Sequence, residues 1–177
     1  MPVRPIVRLG HPSLRTIARA VPPERIGEPD VQQLIDDMLE TMRAARGVGL
    51  AAPQVGEELQ IFVVESSGIP LRVVINPMIT PQERELVHDW EGCLSIPGLR
   101  GMVPRHPAAR VQGLDRDGSP LDYLAQGLEA RIVQHEFDHL NGVVFLDRMR
   151  DLRTLSYLDE WQEFLAGEDD PDETAVG

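Results

Sequence analysis

The stretch Gln134-His135-Glu136-Phe137-Asp138-His139 constrains the fold more than any other. On an α-helix, residues four apart project from one face, so His135 and His139 can grip one metal ion with Glu136 beside it as a base. The pattern is H-E-x-x-H, whose chemistry is metal-assisted hydrolysis. Two imidazoles leave a metal short of protein ligands, and the rest of the chain makes sense arranged around this helix. The plainer alternative is a polar helix face on which two of the chain's five histidines fall by chance.

A length of 177 residues suits one compact domain with a real core, and residues 1–166 are expected to form it. A hydrophobic share of 42% and a charged share of 26% are ordinary for a globular chain. The net charge of −12 argues against a nucleic-acid-binding surface. Part of it is local: the segment 167–177 carries Glu168, Asp169, Asp170, Asp172 and Glu173 and no Lys or Arg. It reads as a solvating, disordered end whose removal after Gly167 should leave turnover intact. No run approaches the ~18 consecutive apolar residues of a membrane helix. Met1-Pro2-Val3-Arg4-Pro5 lacks the apolar centre of a signal peptide, so a cytoplasmic location is expected. Cys93 is the sole cysteine, which excludes an internal disulfide.

In chain order, residues 1–27 are rich in Pro and Arg and read as an extended arm wrapping the domain. His11 within it reads as a surface or supporting residue, because Pro12 turns its backbone away from helix. Val31, Leu34, Ile35, Met38, Met42 and Ala45 recur at helical spacing and predict a helix over Pro29 to Arg46. Gly47 is expected to end it as a left-handed cap. The run Gly47 to Gly56 reads as backbone brought close to a ligand, with Gln54 offering an amide donor. A phosphate-cradling loop is the weaker reading, because the Lys-Ser/Thr ending is absent. Leu59 to Glu65 and Arg72 to Asn76 read as strands joined by a turn. Pro81 to Asp89 reads as an exposed strand or loop.

Cys93 lies between glycine and proline punctuation in Trp90 to Gly98, which predicts a loop cysteine able to turn toward a metal. Val103 and Ala109 to Leu114 are further strand candidates. Asp115-Arg116-Asp117-Gly118 is a turn, and Leu121 to Tyr123 pairs back as a hairpin. The motif helix is expected from about Leu128 to Leu140, closed by Asn141-Gly142. On it Leu128 and Ile132 share the face of the histidines and read as an apolar wall beside the metal. A last helix is expected from about Asp151 to Leu165, with Leu152, Leu155, Leu158, Trp161 and Leu165 on one stripe.

Catalytic zinc-type sites commonly take three protein ligands and keep one position open for water. No histidine follows His139, which leaves Glu160 or Glu163 as candidates. Cys93 is the stronger one, since thiolate binds soft and borderline metals tightly.

Gly47-Val-Gly-Leu-Ala-Ala-Pro-Gln54, Glu91-Gly-Cys-Leu-Ser95 and Gln134-His-Glu-Phe-Asp-His139 together resemble the three signature motifs of peptide deformylases, in that family's order and spacing. The similarity runs from the Leu9-Gly10-His11-Pro12 turn through Asp147-Arg148. The resemblance implies an α+β fold with β-sheets packed around a central metal-binding helix, and a C-terminal helix. It implies removal of the formyl group from the N-terminal formyl-methionine of newly made polypeptides, releasing formate. The metal would be Fe(II), with Zn, Ni or Co as substitutes. The implied ligands are Cys93, His135 and His139. Glu136 would be the general acid and base toward a metal-activated water, and Gln54 and the Leu94 N–H would face the developing oxyanion. Gly49 would present backbone to the peptide. Val48, Leu128, Ile132 and the His135 ring would form the methionine pocket, with Arg100 near the substrate. Glu91, Arg105 and Asp138 read as a supporting charge cluster, set against the alternative of unrelated surface charges. Partners would be formylated nascent chains near the ribosome, without direct nucleic-acid contact and without a membrane.

Two rivals remain at the level of sequence. A peptidase using His135, His139 and a later Glu predicts that Cys93→Ser keeps the metal. A closed structural metal module needs a fourth ligand from His11, His88, His106 or a carboxylate.

Overall fold

Strand β2 (Ile61–Ser66) shows why the layers stack as they do. Side chains alternate along a strand, and here Ile61 and Val63 join one apolar cluster while Phe62 and Val64 join another. A strand apolar on both faces has to be covered on both. In the computed structural model, which describes residues 2–166, one helix covers each side.

The first helix, α1 (Pro29–Ala44), packs Leu34, Ile35, Met38 and Met42 against Ile61, Val63 and Ile75. Its helical stripe is the one the spacing predicts, and both methionines are core. Its ending differs from expectation. Arg46, not Gly47, takes the left-handed conformation, with φ 56°. The Gly47 N–H bonds the Met42 carbonyl at 2.9 Å, closing the turn around it. Gly47 is glycine for space: a Cβ there would lie 2.7 Å from Leu94 Cδ1.

Five strands make the main antiparallel sheet, in the order β1 (Gly49–Ala51), β2, β3 (Ile69–Pro81), β6 (Ala108–Leu114) and β7 (Pro120–Gln126). A second antiparallel sheet holds β4 (Val87–Cys93), β5 (Ile96–Arg105) and β8 (Ser156–Tyr157). The motif helix α2 (Gly127–Leu140) packs Ala130, Ile132 and Val133 onto Phe62, Val64, Val74 and Val111. It is therefore the central helix, and the fold is α+β as the resemblance implies. The short helix α3 (Phe145–Arg148) adds Phe145 to a third cluster with Cys93, Ile96 and Val103 under the small sheet.

Residues 2–27 form the expected arm, with two single 3₁₀ turns at Pro12–Arg15 and Pro23–Arg25. The arm is stitched to the site's own segments: Val7 N–H bonds the Gln54 carbonyl and Leu9 N–H the Ser95 carbonyl, each at 2.9 Å.

The expected long C-terminal helix is replaced by a 3₁₀ turn at Leu152–Thr154, strand β8, and a short helix α4 (Leu158–Phe164). Ser156 and Tyr157 pair with Arg100 and Leu99 on the edge of β5. Thr154, Ser156 and Tyr157 are weak helix formers, and an unpaired sheet edge offers their backbone a better partner than a solvated helix. Of the predicted stripe, Trp161 alone is buried, while Leu152 and Leu165 face solvent. The segment 167–177 lies outside the described residues.

Candidate metal centre

Helix α2 points His135 and His139 inward together, their ring centroids 4.9 Å apart. Cys93 reaches them from the end of β4. It is not the loop cysteine expected from the punctuation around it. Cys93 pairs with Ile96, so Leu94-Ser95 is a two-residue turn and the sulfur is fixed by a strand end. Ligand atoms of Cys93, His135 and His139 lie within 4.8 Å of one another, and all three residues are buried. Among the described residues this is the one grouping of its kind; Glu160 and Glu163 sit exposed on α4, and His11 instead caps the backbone of Ser13.

Protonation states follow from the partners. His135 Nδ1 lies 2.9 Å from Glu91 Oε2. Burial raises the Glu91 carboxyl, but the Arg105 charge and the His135 bond outweigh it and hold the group below the carboxylate range. Glu91 is thus an acceptor, and His135 must donate from Nδ1. His135 Nε2 is buried and without a hydrogen-bond partner. His139 Nε2 lies 3.4 Å from Cys93 Sγ. Burial, with His135 close by, pushes His139 well below the ordinary imidazole range, so it is neutral. Burial pushes the Cys93 thiol up. A buried thiol and two buried imidazoles with their ligand atoms this close suit a divalent cation between them, which would draw the thiolate out and satisfy the orphaned nitrogen. The donor set, one sulfur and two nitrogens, leaves a fourth position for a reacting molecule.

Glu136 lies beside this point, fully buried, with both carboxylate oxygens lacking a hydrogen-bond partner. Burial first, and the Glu91 charge second, push its pKa well above the usual carboxylate range. Gly49 faces it from β1: a Cβ there would lie 2.3 Å from Glu136 Oε1 and 2.9 Å from Ile132 Cγ2. Gln54 sits in a 3₁₀ turn (Ala52–Val55) and is aimed by two contacts. Its Oε1 accepts from the Ala51 N–H at 2.8 Å, and its Nε2 donates to Ser95 Oγ at 3.3 Å, 3.7 Å from Cys93 Sγ. Ser95 was not assigned a role from the sequence. Its place two residues after Cys93, inside the motif, was the available signal.

Glu91, Arg105 and Asp138 form a buried network rather than scattered surface charges. Arg105 bonds both oxygens of Glu91, at 2.9 and 3.0 Å, and Asp138 Oδ2 at 2.6 Å. Two further arginines belong to it. Arg131 points inward to Glu91 Oε1 at 2.8 Å and to the carbonyls of Val103 and Val87. Arg148 grips Asp138 with two bonds. Such a cluster fixes His135 through Glu91 and fixes α2 against the β4–β5 hairpin.

The residues expected around a methionine side chain differ in burial. Val48 and Ile132 are buried in the core cluster of α2. Leu128 is 47% exposed and lines a separate hollow of about 220 Å³ with Val87, Asp89 and Arg131. Arg100 lines a groove of about 460 Å³ that begins at Cys93 and Leu94.

Residues 3–154 match the polypeptide deformylase family. Peptide deformylase 1 of Nitrosomonas europaea is 46% identical over 166 residues, spanning 89% of this chain and 93% of that protein. Among solved structures, a peptide deformylase from Synechococcus elongatus in complex with actinonin superposes with a TM-score of 0.79 at 43% identity, covering 85% of this chain and 81% of that one. A Met-Ala-Ser-bound class I type b peptide deformylase from Acinetobacter baumannii gives 0.80 at 37%, covering 84% and 100%.

Proposed function

This chain belongs to the peptide deformylase family, and we propose that it does that family's work with Cys93, His135 and His139 as metal ligands and Glu136 as general acid and base. It is a metal-dependent hydrolase that removes the N-formyl group from the formyl-methionine at the start of newly made polypeptides, releasing formate. The observation that carries the assignment of residues is the convergence of one thiol and two imidazoles beside an unpartnered buried carboxyl.

A divalent cation held by Cys93, His135 and His139 would supply Lewis acidity toward the formyl carbonyl and the attacking water. Iron(II) is our choice for the native ion, with Zn, Ni or Co as substitutes, because one sulfur and two imidazoles suit all of them. Glu136 accepts the proton of the attacking water at a carboxylate oxygen. The raised pKa of the buried group favours holding that proton. Glu136 then releases it to the departing amine, so that formate and a free N-terminus result. Gln54 Nε2 and the Leu94 N–H donate to the oxygen that gains charge, a kind of interaction whose loss costs about 10²–10³ in rate. Gly49 leaves room for the peptide beside Glu136, with Val48, Ile132 and Leu128 as its apolar neighbours and Arg100 further along.

One catalytic domain, residues 1–166, carries this machinery, and the acidic segment 167–177 is outside it. No described helix is long and apolar enough to cross a membrane. Since the substrates are nascent chains, the place of work is the cytoplasm, close to the ribosome and without direct nucleic-acid contact.

The test is formate release from a short formyl-Met peptide by protein purified without oxygen and supplied with Fe(II). Turnover should collapse in Glu136→Ala while metal remains bound, and Cys93→Ser should lose the metal. Metal-loaded protein that releases no formate would overturn the assignment, and retained metal in Cys93→Ser would point to a different ligand set.

A further inference from the structure

Gln54 hangs from a backbone that the N-terminal arm holds on both sides. The peptide group before its Cα joins Pro53 to Gln54, and the Pro53 carbonyl accepts from the Ser13 hydroxyl at 2.8 Å. The peptide group after it joins Gln54 to Val55, and the Gln54 carbonyl accepts from the Val7 N–H at 2.9 Å. Peptide groups are planar, so the orientation of one against the other is the φ and ψ of Gln54. Fixing both planes fixes the direction in which the side chain leaves the backbone. A third bond, from the Leu9 N–H to the Ser95 carbonyl, holds the residue whose hydroxyl receives the Gln54 amide. Val7 and Leu9 act through backbone, whereas Ser13 acts through its side chain. Ser13 is 2% exposed, in the turn Pro12–Arg15 beside fully buried Leu14. His11 Nδ1 also lies within reach of its hydroxyl, at 2.7 Å. The arm has anchors other than this hydroxyl, among them the Ala18 N–H on the Leu140 carbonyl at 2.9 Å. The Pro53 carbonyl also accepts from the Gly56 N–H at 3.2 Å, so it keeps a partner without Ser13.

We propose that Ser13 is a positioning residue for the reaction: through the Pro53 carbonyl it aims the Gln54 amide at the oxygen that gains charge. The inference rests on the deformylase reading and adds to it a residue on a different element, far from the centre in sequence. A side-chain amide has two N–H donors. One of them goes to Ser95 Oγ, and the nitrogen lies 3.7 Å from Cys93 Sγ, on the side of the proposed metal point. Such a donor lowers a barrier only when it is already aimed where charge develops. Loss of one of the two clamps loosens the aim without removing the donor. The expected cost is about tenfold in kcat, a part of the roughly 10²–10³ that loss of the donor itself brings.

The test is a double-mutant cycle on the Fe(II)-loaded full chain, read as formate release from a formyl-Met peptide. Ser13→Ala should lower kcat about tenfold and leave KM within about twofold, the pattern of an interaction made in the transition state. In a Gln54→Ala background the same substitution should change kcat by less than about twofold, because the group it aims is gone. A role confined to holding the fold predicts the opposite, an equal loss in both backgrounds. A second readout does not use turnover: in the isotope-labelled, zinc-loaded chain, the side-chain amide signals of Gln54 should shift or broaden in Ser13→Ala, while those of distant Gln112 stay. Should Ser13→Ala fail to fold, Ser13→Cys, which keeps a small side chain with a weaker donor, is read in the same cycle. A parental kcat in Ser13→Ala, an equal loss in both backgrounds, or unmoved Gln54 signals overturns the inference and leaves the deformylase reading intact. No formate from the unaltered chain would overturn that reading, and the inference with it.

Discussion

At the scale of single residues, the centre is defined as much by side chains that are missing as by those present. Gly49 is glycine because Glu136 occupies the space a Cβ would need, 2.3 Å away. Gly49→Ala should therefore displace Glu136, the proposed general base, without touching a proposed ligand. The expected result is a fall in kcat of about 10²-fold, the order of loss that ~1 Å of misplacement produces. Metal stoichiometry should stay at the level of the unaltered protein, and loss of the ion would refute this account. Arg105 is the opposite case, a residue whose removal leaves two buried acids short of a partner. Arg105→Ala should cost about 3–5 kcal/mol in denaturant unfolding and loosen metal binding, because Glu91 then holds His135 less firmly. Unchanged metal affinity in that variant would mean that Arg131 and Arg148 suffice.

At the scale of elements, a helix, a hairpin and an arm meet at one point for distinct reasons. Helix α2 is held by its apolar face on the main sheet, and by Gln134, whose side chain bonds both the N–H and the carbonyl of His106 at the β5–β6 corner. The β4–β5 hairpin delivers Cys93 with the stiffness of a paired strand end. The arm ties down the backbone of Gln54 and Ser95 from outside. Helix α4 is the weakest attachment, since seven residues are too short to persist without tertiary contacts. Its anchor is Trp161, which also stacks edge-on with Trp90 at 5.9 Å. Trp161→Ala should release α4 and β8 at a cost of about 3–5 kcal/mol, with a loss of tryptophan-derived near-ultraviolet signal. A variant as stable as the parent would show that α4 is held by other contacts.

At the scale of the whole molecule, metal binding and stability are coupled. Cys93, His135 and His139, the proposed ligands, are buried, and without an ion a thiol and orphaned imidazole nitrogens remain inside. Anything bound only by the folded state stabilises it by mass action. Chelation should therefore abolish turnover and lower the unfolding temperature together, and readdition of Fe(II) or Zn should restore the second even where it only partly restores the first. A melting temperature indifferent to the ion would argue that the site is not closed by metal.

How far these features were legible in the sequence depends on the range of the interaction involved. Helical spacing is local, so the period alone located α1 and its buried face, and the motif around His135 and His139 located α2. The ligand types and the three motifs pointed to the family before any geometry was known. Arg131 and Arg148 were not legible as members of the charge network, because their partners lie on other elements and any exposed helix carries similar charges. The 47% exposure of Leu128 was not legible either, because spacing gives a face but not what covers it. The long C-terminal helix failed because apolar residues at helical intervals do not reveal that a sheet edge waits to pair with Ser156 and Tyr157. The sequence determined the chemistry, through residue types and periods that act over one or two turns. Tertiary structure alone decided which charges were buried together and which sheet edge took the C-terminal segment, since those follow from contacts between residues distant in the chain.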